Sequence, residues 1–436
     1  MAKPIRHAGW PAGVDNLSPE TALVADDQGV VLALREAENV DLVGPGKPRR
    51  RKGYAEALWS SSGVHSLWAP ADAPWGLIVR AGTLCLLRDP AHPEVLRDLA
   101  APGEPVSYAL VGDRVYWSNG TDRGLVTAAG EDAPWGCPTP AGLPALALAD
   151  AGALAAGRYH VSITYALGSG EESGAPTPAW IDVPDGGGIA LSGVPQPPAD
   201  SGVTEIRVYV SAPGGDVLHR ARSLLVGVTE TQLGAGQRGR PLDTQGLASM
   251  PAGRLVRVHA GRLWCLGDDG WLVWSEALRY GLTEPPRNRL HVTGQPSLLE
   301  AVGGGTDGAG MYLAAGQRTY FLAGPPERMT PAVSYPHGAV PGTAICVPGS
   351  ALGLETSAQV AYWLADNGAA VVGLPGGIVQ PLREHQAVAP SAKRGASMYR
   401  AEDGSRRIVT TLAGTSARGL AFADSATSTI TRHDGA

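Results

Sequence analysis

Four pairs of adjacent carboxylates are the groups in this sequence best suited to acid–base work: Asp26-Asp27, Glu131-Asp132, Glu171-Glu172 and Asp268-Asp269. Two such groups held about 5–10 Å apart across a cleft could hydrolyse a glycosidic bond. All four pairs sit beside Gly and other turn formers, where short polar side chains satisfy local backbone groups. They read as solvated turns. A literal GxGxxG at Gly303, Gly305 and Gly308 follows the strand-like residues 298–302, as a dinucleotide-binding turn would. Residues 310–313 then begin a second strand, so no helix N-terminus faces a phosphate and no cofactor is expected. The ten histidines show no ligand spacing, and Cys85, Cys137, Cys265 and Cys346 form no CxxC pair. They read as buried thiols in a reducing cytoplasm, without a metal or a disulfide. No GxSxG elbow, HExxH pair, Walker A lysine, EF-hand loop or sialidase Asp-box is present. The sequence gives no reason to expect an enzyme.

Two further groups could make contacts without catalysis. Lys47, Arg49, Arg50, Arg51 and Lys52 form a dense cationic run around Pro48. Such a run either touches DNA phosphates or an acidic partner, or lies in a solvated loop. Trp117, Trp264 and Trp363 recur at similar points of a repeated segment. They either line a sugar-binding platform or, as the commoner use of buried indoles, pack one sheet on the next. We take them as blade-packing aromatics.

The elements that must position these residues follow from composition. The chain has 436 residues, with 59 Gly and 36 Pro, 44% apolar residues and a formal net charge of −6. Helix breakers make up about 22% of it, nearly twice the usual share, which leaves few stretches of helix length. A helical protein and a disordered one are both excluded, and the mild acidity gives no footprint for tight nucleic-acid binding. No apolar run reaches the length of a membrane span, and the first residues lack the apolar core of a signal peptide. Strand–turn–strand units with Trp or Tyr on the second strand recur at 76–87, 108–118, 255–266, 311–322, 360–373 and, more weakly, 396–409. Their turns carry Gly with Asp, Asn or Gln in several copies. Between the second and third units, alternating strands at 158–165, 179–183, 188–191 and 205–210 fit one β-sandwich. The order of features there, a Tyr-x-Val-x-Ile-x-Tyr strand, a Gly-Glu-Glu-Ser turn and an Ile-Arg-Val-Tyr strand, resembles a fibronectin type III-like module. The expected fold is all-β: an irregular β-propeller of about six blades with an inserted fibronectin III-like sandwich. Its parts would be 1–136 (an N-terminal arm and the first blades), 137–250 (the sandwich) and 251–436 (the remaining blades). Ring closure is expected from residues 407–412 and 427–432 with 29–39, since a propeller must cover its terminal edges.

Several stretches resemble a known family. These are Asp15-Asn16-Leu17-Ser18-Pro19-Glu20, then residues 34–42, then Gly46, Arg50, Arg51, Lys52, Gly53 and Tyr54. Residues 274–281, 319–325 and 337–343 extend the likeness. Together they resemble the tail nozzle, tail tubular or packaged-DNA stabilisation proteins of short-tailed bacteriophages. The resemblance implies a virion structural protein of the tail, assembled in the host cytoplasm. Copies, commonly six, would surround the tail axis below a portal or adaptor ring and form a conduit for DNA ejection. It implies a net-negative wall past which DNA slides, no membrane insertion and a sandwich pointing outward. Two alternatives stay open: a carbohydrate-binding or glycan-cleaving propeller, and a distal-tail or baseplate protein of a long-tailed phage.

Overall fold

Tight turns fix the strand register. Ala81 and Gly82 have φ of 49° and 85°, and Ala260 and Gly261 have φ of 50° and 69°. Positive φ at both central positions marks the two-residue hairpin whose twist matches that of the strands it joins. These turns connect Gly76–Arg80 to Thr83–Leu87 and Leu255–His259 to Arg262–Leu266. Arg80 consequently stands opposite Thr83, and His259 opposite Arg262. The computed structural model describes residues 10, 12–18, 33–37, 40–43, 47–50, 63–70, 73–236, 238–303, 308–382, 387–402 and 405–414. Among these the chain is all-β, with helix limited to single 3-10 turns such as Ala199–Ser201.

The chain divides into two compact units, one of Ser61–Gly267 with Trp271–His291, the other of Met1–Ser60, Asp268–Gly270 and Val292–Ala436. In the first, sheet A is the antiparallel meander of His65–Trp68, Gly76–Arg80, Thr83–Leu87 and Glu94–Asp98. Sheet B follows, from Ser107–Val111, Arg114–Ser118, Arg123–Thr127 and Asp132–Ala133. Sheet C is built from Leu255–His259, Arg262–Leu266, Trp271–Trp274 and Arg289–His291. Sheet B is apolar on both faces. Val115 and Trp117 pack with Leu77, Leu84 and Leu86 of sheet A, whereas Tyr116 and Ala109 pack with Val256, Leu263 and Cys265 of sheet C. A buried serine stitches the second seam: Val256 N donates to Ser107 Oγ (3.0 Å) and Arg257 Nη1 to the same oxygen (2.9 Å). Ser118 Oγ accepts from Gly253 N (3.1 Å).

Sheets B and C are thus packed neighbours although the whole sandwich lies between them in sequence. The sandwich has a three-stranded sheet of Ala145–Ala149, Gly188–Ser192 and Glu230–Leu233. Its second sheet is four-stranded, ordered Ala179–Val183, Gly157–Leu167, Val203–Ser211 and Leu218–Leu225. Tyr159, Val161, Ile163, Ile206 and Val208 of one sheet share a core with Ile189, Leu191 and Leu233 of the other. Three of its strands, 145–149, 218–225 and 230–233, were not legible from alternation: Leu218–Leu225 reads LHRARSLL and Glu230–Leu233 reads ETQL.

In the other unit, sheet D comprises Pro296–Val302, Gly310–Ala315, Arg318–Ala323 and Ala332–Tyr335. Sheet E comprises Ile345–Pro348, Gln359–Leu364, Ala370–Gly373 and Val379–Leu382. Ala361 and Trp363 face Leu298 and Tyr312 of sheet D. Val360 and Tyr362 instead pack with Tyr399 and Ile408 of the hairpin Arg394–Glu402 and Ser405–Ala413. That weak sixth repeat is two-stranded among the described residues. Of the expected closure, 29–32, 38–39 and 427–432 lie outside the described residues, while Ala33–Leu34 pairs in parallel with Gly13–Val14. Asn16 pairs with the backbone of Val388: its Nδ2 donates to Val388 O (3.1 Å) and its Oδ1 accepts from Val388 N (3.2 Å).

Small residues make room for the large ones. Gly124 stands opposite Trp117, and a Cβ on it would fall 2.6 Å from the indole. Gly373 does the same for Tyr312 and Trp363, at 2.4 Å and 2.8 Å. Overpacking such a site costs about 1–3 kcal/mol, so Gly124→Ala should lower the unfolding free energy by that amount in denaturant titrations. Gly103→Ala, where a Cβ meets open space, should leave it within about 0.5 kcal/mol.

Candidate functional site

The first unit contains a cleft of about 310 Å³ where the sandwich meets sheets B and C. Four segments line it. The strand Arg114–Ser118 supplies Arg114 and Tyr116, and the turn after Gly157–Leu167 supplies Glu171 and Glu172. The segment leaving the sandwich supplies Arg240, Asp243 and Thr244, and the loop after Trp271–Trp274 supplies Leu278 to Leu282.

Glu172 is the hub of a network within the sandwich and its exit segment. Its side chain is 7% exposed, yet all of its acceptor capacity is used. Oε1 accepts from Thr164 Oγ1 (2.5 Å) and Tyr209 Oη (2.6 Å). Oε2 accepts from Arg207 Nη1 (2.7 Å) and Arg240 Nη2 (3.1 Å). Arg207 also donates to Glu205 Oε2 (3.0 Å). One carboxylate therefore clamps the turn 168–174 and the exit segment onto two strands of the sandwich, and four donors offset its desolvation. Burial, with the hydrogen bond to Glu172, drives the Tyr209 phenol upward in pKa. The exit segment is further held by Arg279, whose Nη2 donates to Asp243 Oδ2 (2.6 Å).

Glu171 points the other way. Gly281 leaves room for it, since a Cβ there would lie 2.1 Å from Glu171 Oε1. Burial raises the Glu171 pKa, against the opposing charge of Arg114. Tyr116, 6% exposed, is raised by burial and by Glu171, and hydrogen-bonds Arg114. Cys137 nearby is pushed up to about 12 by burial and by both glutamates, which makes it an inert thiol. Thr244 is 3% exposed and its Oγ1 has no hydrogen-bond partner among the described residues. The floor is rigid. Tyr116 packs on Trp135 at 5.6 Å and on Tyr280 at 5.8 Å, and Trp135 Nε1 donates to Tyr280 O (2.8 Å).

The carboxylate pairs expected to be solvated turns thus differ from one another. In Glu171-Glu172 the second carboxylate is buried and the first half-buried, because the turn that carries them folds back over the sandwich. Asp132 lies in a strand and is ion-paired with Arg97 (2.8 Å), with only Glu131 exposed. Asp268 and Asp269 are exposed in a turn, and Asp26-Asp27 lies outside the described residues. Gly303 closes a strand with its N–H on Gln359 O (2.9 Å), and the strand Gly310–Ala315 follows; residues 304–307, including Gly305, lie outside the described residues. Cys85, Cys137 and Cys265 are buried, but Cys346 is exposed, because Ile345–Pro348 is the edge strand of sheet E.

Lys47, Arg49 and Arg50 are exposed on the strand Lys47–Arg50, paired with Val40–Val43; Arg51 and Lys52 lie outside the described residues. Trp117, Trp264 and Trp363 are each 0% exposed, which leaves no indole face for a sugar. They are not equivalent. Trp117 and Trp363 face the preceding sheet, whereas Trp264 lies on the opposite face from Leu263 and Cys265 and packs on Trp274 at 4.9 Å. Arg114, Tyr116, Arg240, Asp243, Thr244 and Tyr280 were not singled out from sequence. They are isolated residues from distant segments, and only the fold brings them together. Among the described residues no group of three or more His, Cys, Asp and Glu could hold a metal ion, and no helix is long and apolar enough to cross a membrane.

No protein-family model and no curated protein sequence matches the chain. Among solved structures it is similar to BBS1N in complex with ARL6DN, at 10% identity and a TM-score of 0.32 over 81% of this chain and 89% of that one. It is also similar to a protein of Bacteroides uniformis assigned as a 6-phosphogluconolactonase, at 11% identity and a TM-score of 0.28 over 79% and 88%. The computationally designed Ika8 protein gives 11% identity and a TM-score of 0.25 over 80% and 96%.

Two outcomes test the assignment of roles at the junction. Glu172→Ala leaves Arg207 without its buried partner and should cost about 3 kcal/mol or more in denaturant titrations. Glu171 behaves oppositely. Because burial raises its folded pKa, the folded chain holds the proton more tightly than the unfolded chain, and stability falls as pH rises through that raised value. Glu171→Gln should therefore melt higher than the parent near about pH 7, and the advantage should vanish near about pH 4.

Proposed function

We propose that the chain is a structural component of a bacteriophage tail, built on β-propeller blades and carrying a fibronectin III-like sandwich. Support for the blades comes from the repeated four-stranded meander and from the stacking of sheet A on B, B on C, and D on E, with sheets B and E apolar on both faces. Support for the module comes from its three- and four-stranded sheets around one core. The observation that carries the functional reading is the basic strand within the tail-protein-like stretch. Lys47 to Arg50 are all exposed and are held straight by pairing with Val40–Val43. A cationic strand with a fixed backbone meets a phosphate chain or an acidic partner without first paying to order itself.

In this reading copies of the chain, six in number, surround the tail axis beneath a portal or adaptor ring, and DNA passes through. The net charge of −6 keeps most of the surface from trapping DNA, with the basic strand as a local contact. The protein acts mechanically, not as an enzyme, and is assembled into virions in the host cytoplasm.

Electron cryo-microscopy of virions carrying the chain tests this. A ring of copies on the tail axis is the expected result. The triple variant Lys47→Glu, Arg49→Glu, Arg50→Glu should fold as the parent does and yet fail to enter particles. A chain absent from the virion, or found on fibres away from the axis, contradicts the reading.

A further inference from the structure

The two sheets of the sandwich end in four edge strands, and three of these are protected. Leu218–Leu225 is covered by the exit segment: Arg220 N donates to Arg240 O (3.1 Å), Gly239 N to Arg220 O (2.8 Å) and Leu242 N to Leu218 O (2.8 Å). Glu230–Leu233 carries a charge at Glu230, and Arg222 Nη1 caps it by donating to Gln232 O (3.0 Å). Ala179–Val183 lies between Pro178 and Pro184 and carries Asp182, ion-paired with Arg158 (3.0 Å). Charges, prolines and covering segments are the usual defences of a sheet edge against another strand.

The fourth edge, Ala145–Ala149, has no such defence. It pairs with Gly188–Ser192 on one side, and among the described residues no strand pairs with it on the other. Its five residues are uncharged and contain no proline. Leu146 and Leu148 stand opposite Leu191 and Ile189 of the sandwich core, yet Leu148 is 55% exposed where Ile189 is fully buried. Leu148 therefore points to the core face and lacks a neighbour on its open side.

We infer that this edge is covered by the same strand of a second copy of the chain, which joins two three-stranded sheets into one. The order of the residues selects that occupant. Ala145-Leu146-Ala147-Leu148-Ala149 reads the same in both directions, so antiparallel pairing about a two-fold axis at Ala147 sets alanine opposite alanine and Leu146 opposite the partner's Leu148. Both leucines then lie on the core face and extend it. Asp150 falls opposite the partner's Pro144, so no like charges meet. Main-chain hydrogen bonds to the open edge supply the rest of the contact. The inference does not rest on the tail reading: a two-fold contact differs from the side-by-side contact of a cyclic ring, and either can fail without the other.

Sedimentation of the full chain tests it. Ala147 is exposed and alternates with the core-facing leucines, so Ala147→Lys and Ala147→Glu should fold as the parent does, which circular dichroism checks. In the pairing position 147 meets itself. Each variant alone thus opposes like charges, should weaken pairing about tenfold or more and should sediment with about half the parental mass. An equimolar mixture of the two variants should regain the parental mass. Glu230→Lys, on the opposite edge of the same sheet, should keep it. A parent no heavier than Ala147→Lys, or a mixture no heavier than either variant alone, would overturn the inference.

Discussion

A β-sheet that is apolar on both faces must be covered twice, and this requirement organises both units of the chain. Within the strand Arg114–Ser118, Val115 and Trp117 go to one neighbour and Tyr116 to the other. Within Gln359–Leu364, Ala361 and Trp363 go to one side and Val360 and Tyr362 to the other. Period-2 alternation thus divides one strand's side chains between two cores, where a sheet with one wet face would give half of them to water. Burial on both faces also explains the abundance of glycine. An indole on one strand needs an empty position on the next, as Gly124 provides for Trp117 and Gly373 for Trp363.

The sandwich has its own core, and the contacts that join it to the stacked sheets are mixed in kind. Within the sandwich and its exit segment, Glu172 gathers Thr164, Tyr209, Arg207 and Arg240. Across the junction, Arg279 holds Asp243, Trp135 Nε1 donates to Tyr280 O, and Ala248–Ser249 pairs with Leu282–Thr283. Directional hydrogen bonds specify one orientation where apolar contact alone would tolerate several.

The sequence makes the stacked units legible and the junction opaque, for physical reasons. Each repeat carries its own signal: two apolar strands, a tight turn and an aromatic. Those local patterns give the position of five four-stranded sheets and of the long sandwich strands 157–167 and 203–211. Strands whose sides face charged neighbours, such as Leu218–Leu225, lack alternation and do not announce themselves. Glu171-Glu172 reads as a turn because it is one; that the turn folds over a sheet and buries a charge depends on partners 35 and 68 residues away. The three tryptophans look alike in sequence, yet a shift of one position in their strands sends Trp264 to the other face of its sheet. The basic run at 47–52 is visible as charge density, which needs no tertiary information, whereas the pairing of Lys47–Arg50 as a strand with Val40–Val43 is not.

The central structural claim is that sheets B and C form one cooperative body across the inserted sandwich. Native-state hydrogen exchange measures this directly. Amides of Ser107–Val111 and Arg114–Ser118 should lose protection in the same step of rising denaturant as those of Leu255–His259 and Arg262–Leu266. If residues 255–266 instead open together with the sandwich while 107–118 stays protected, the two sheets are not one body and the account is wrong.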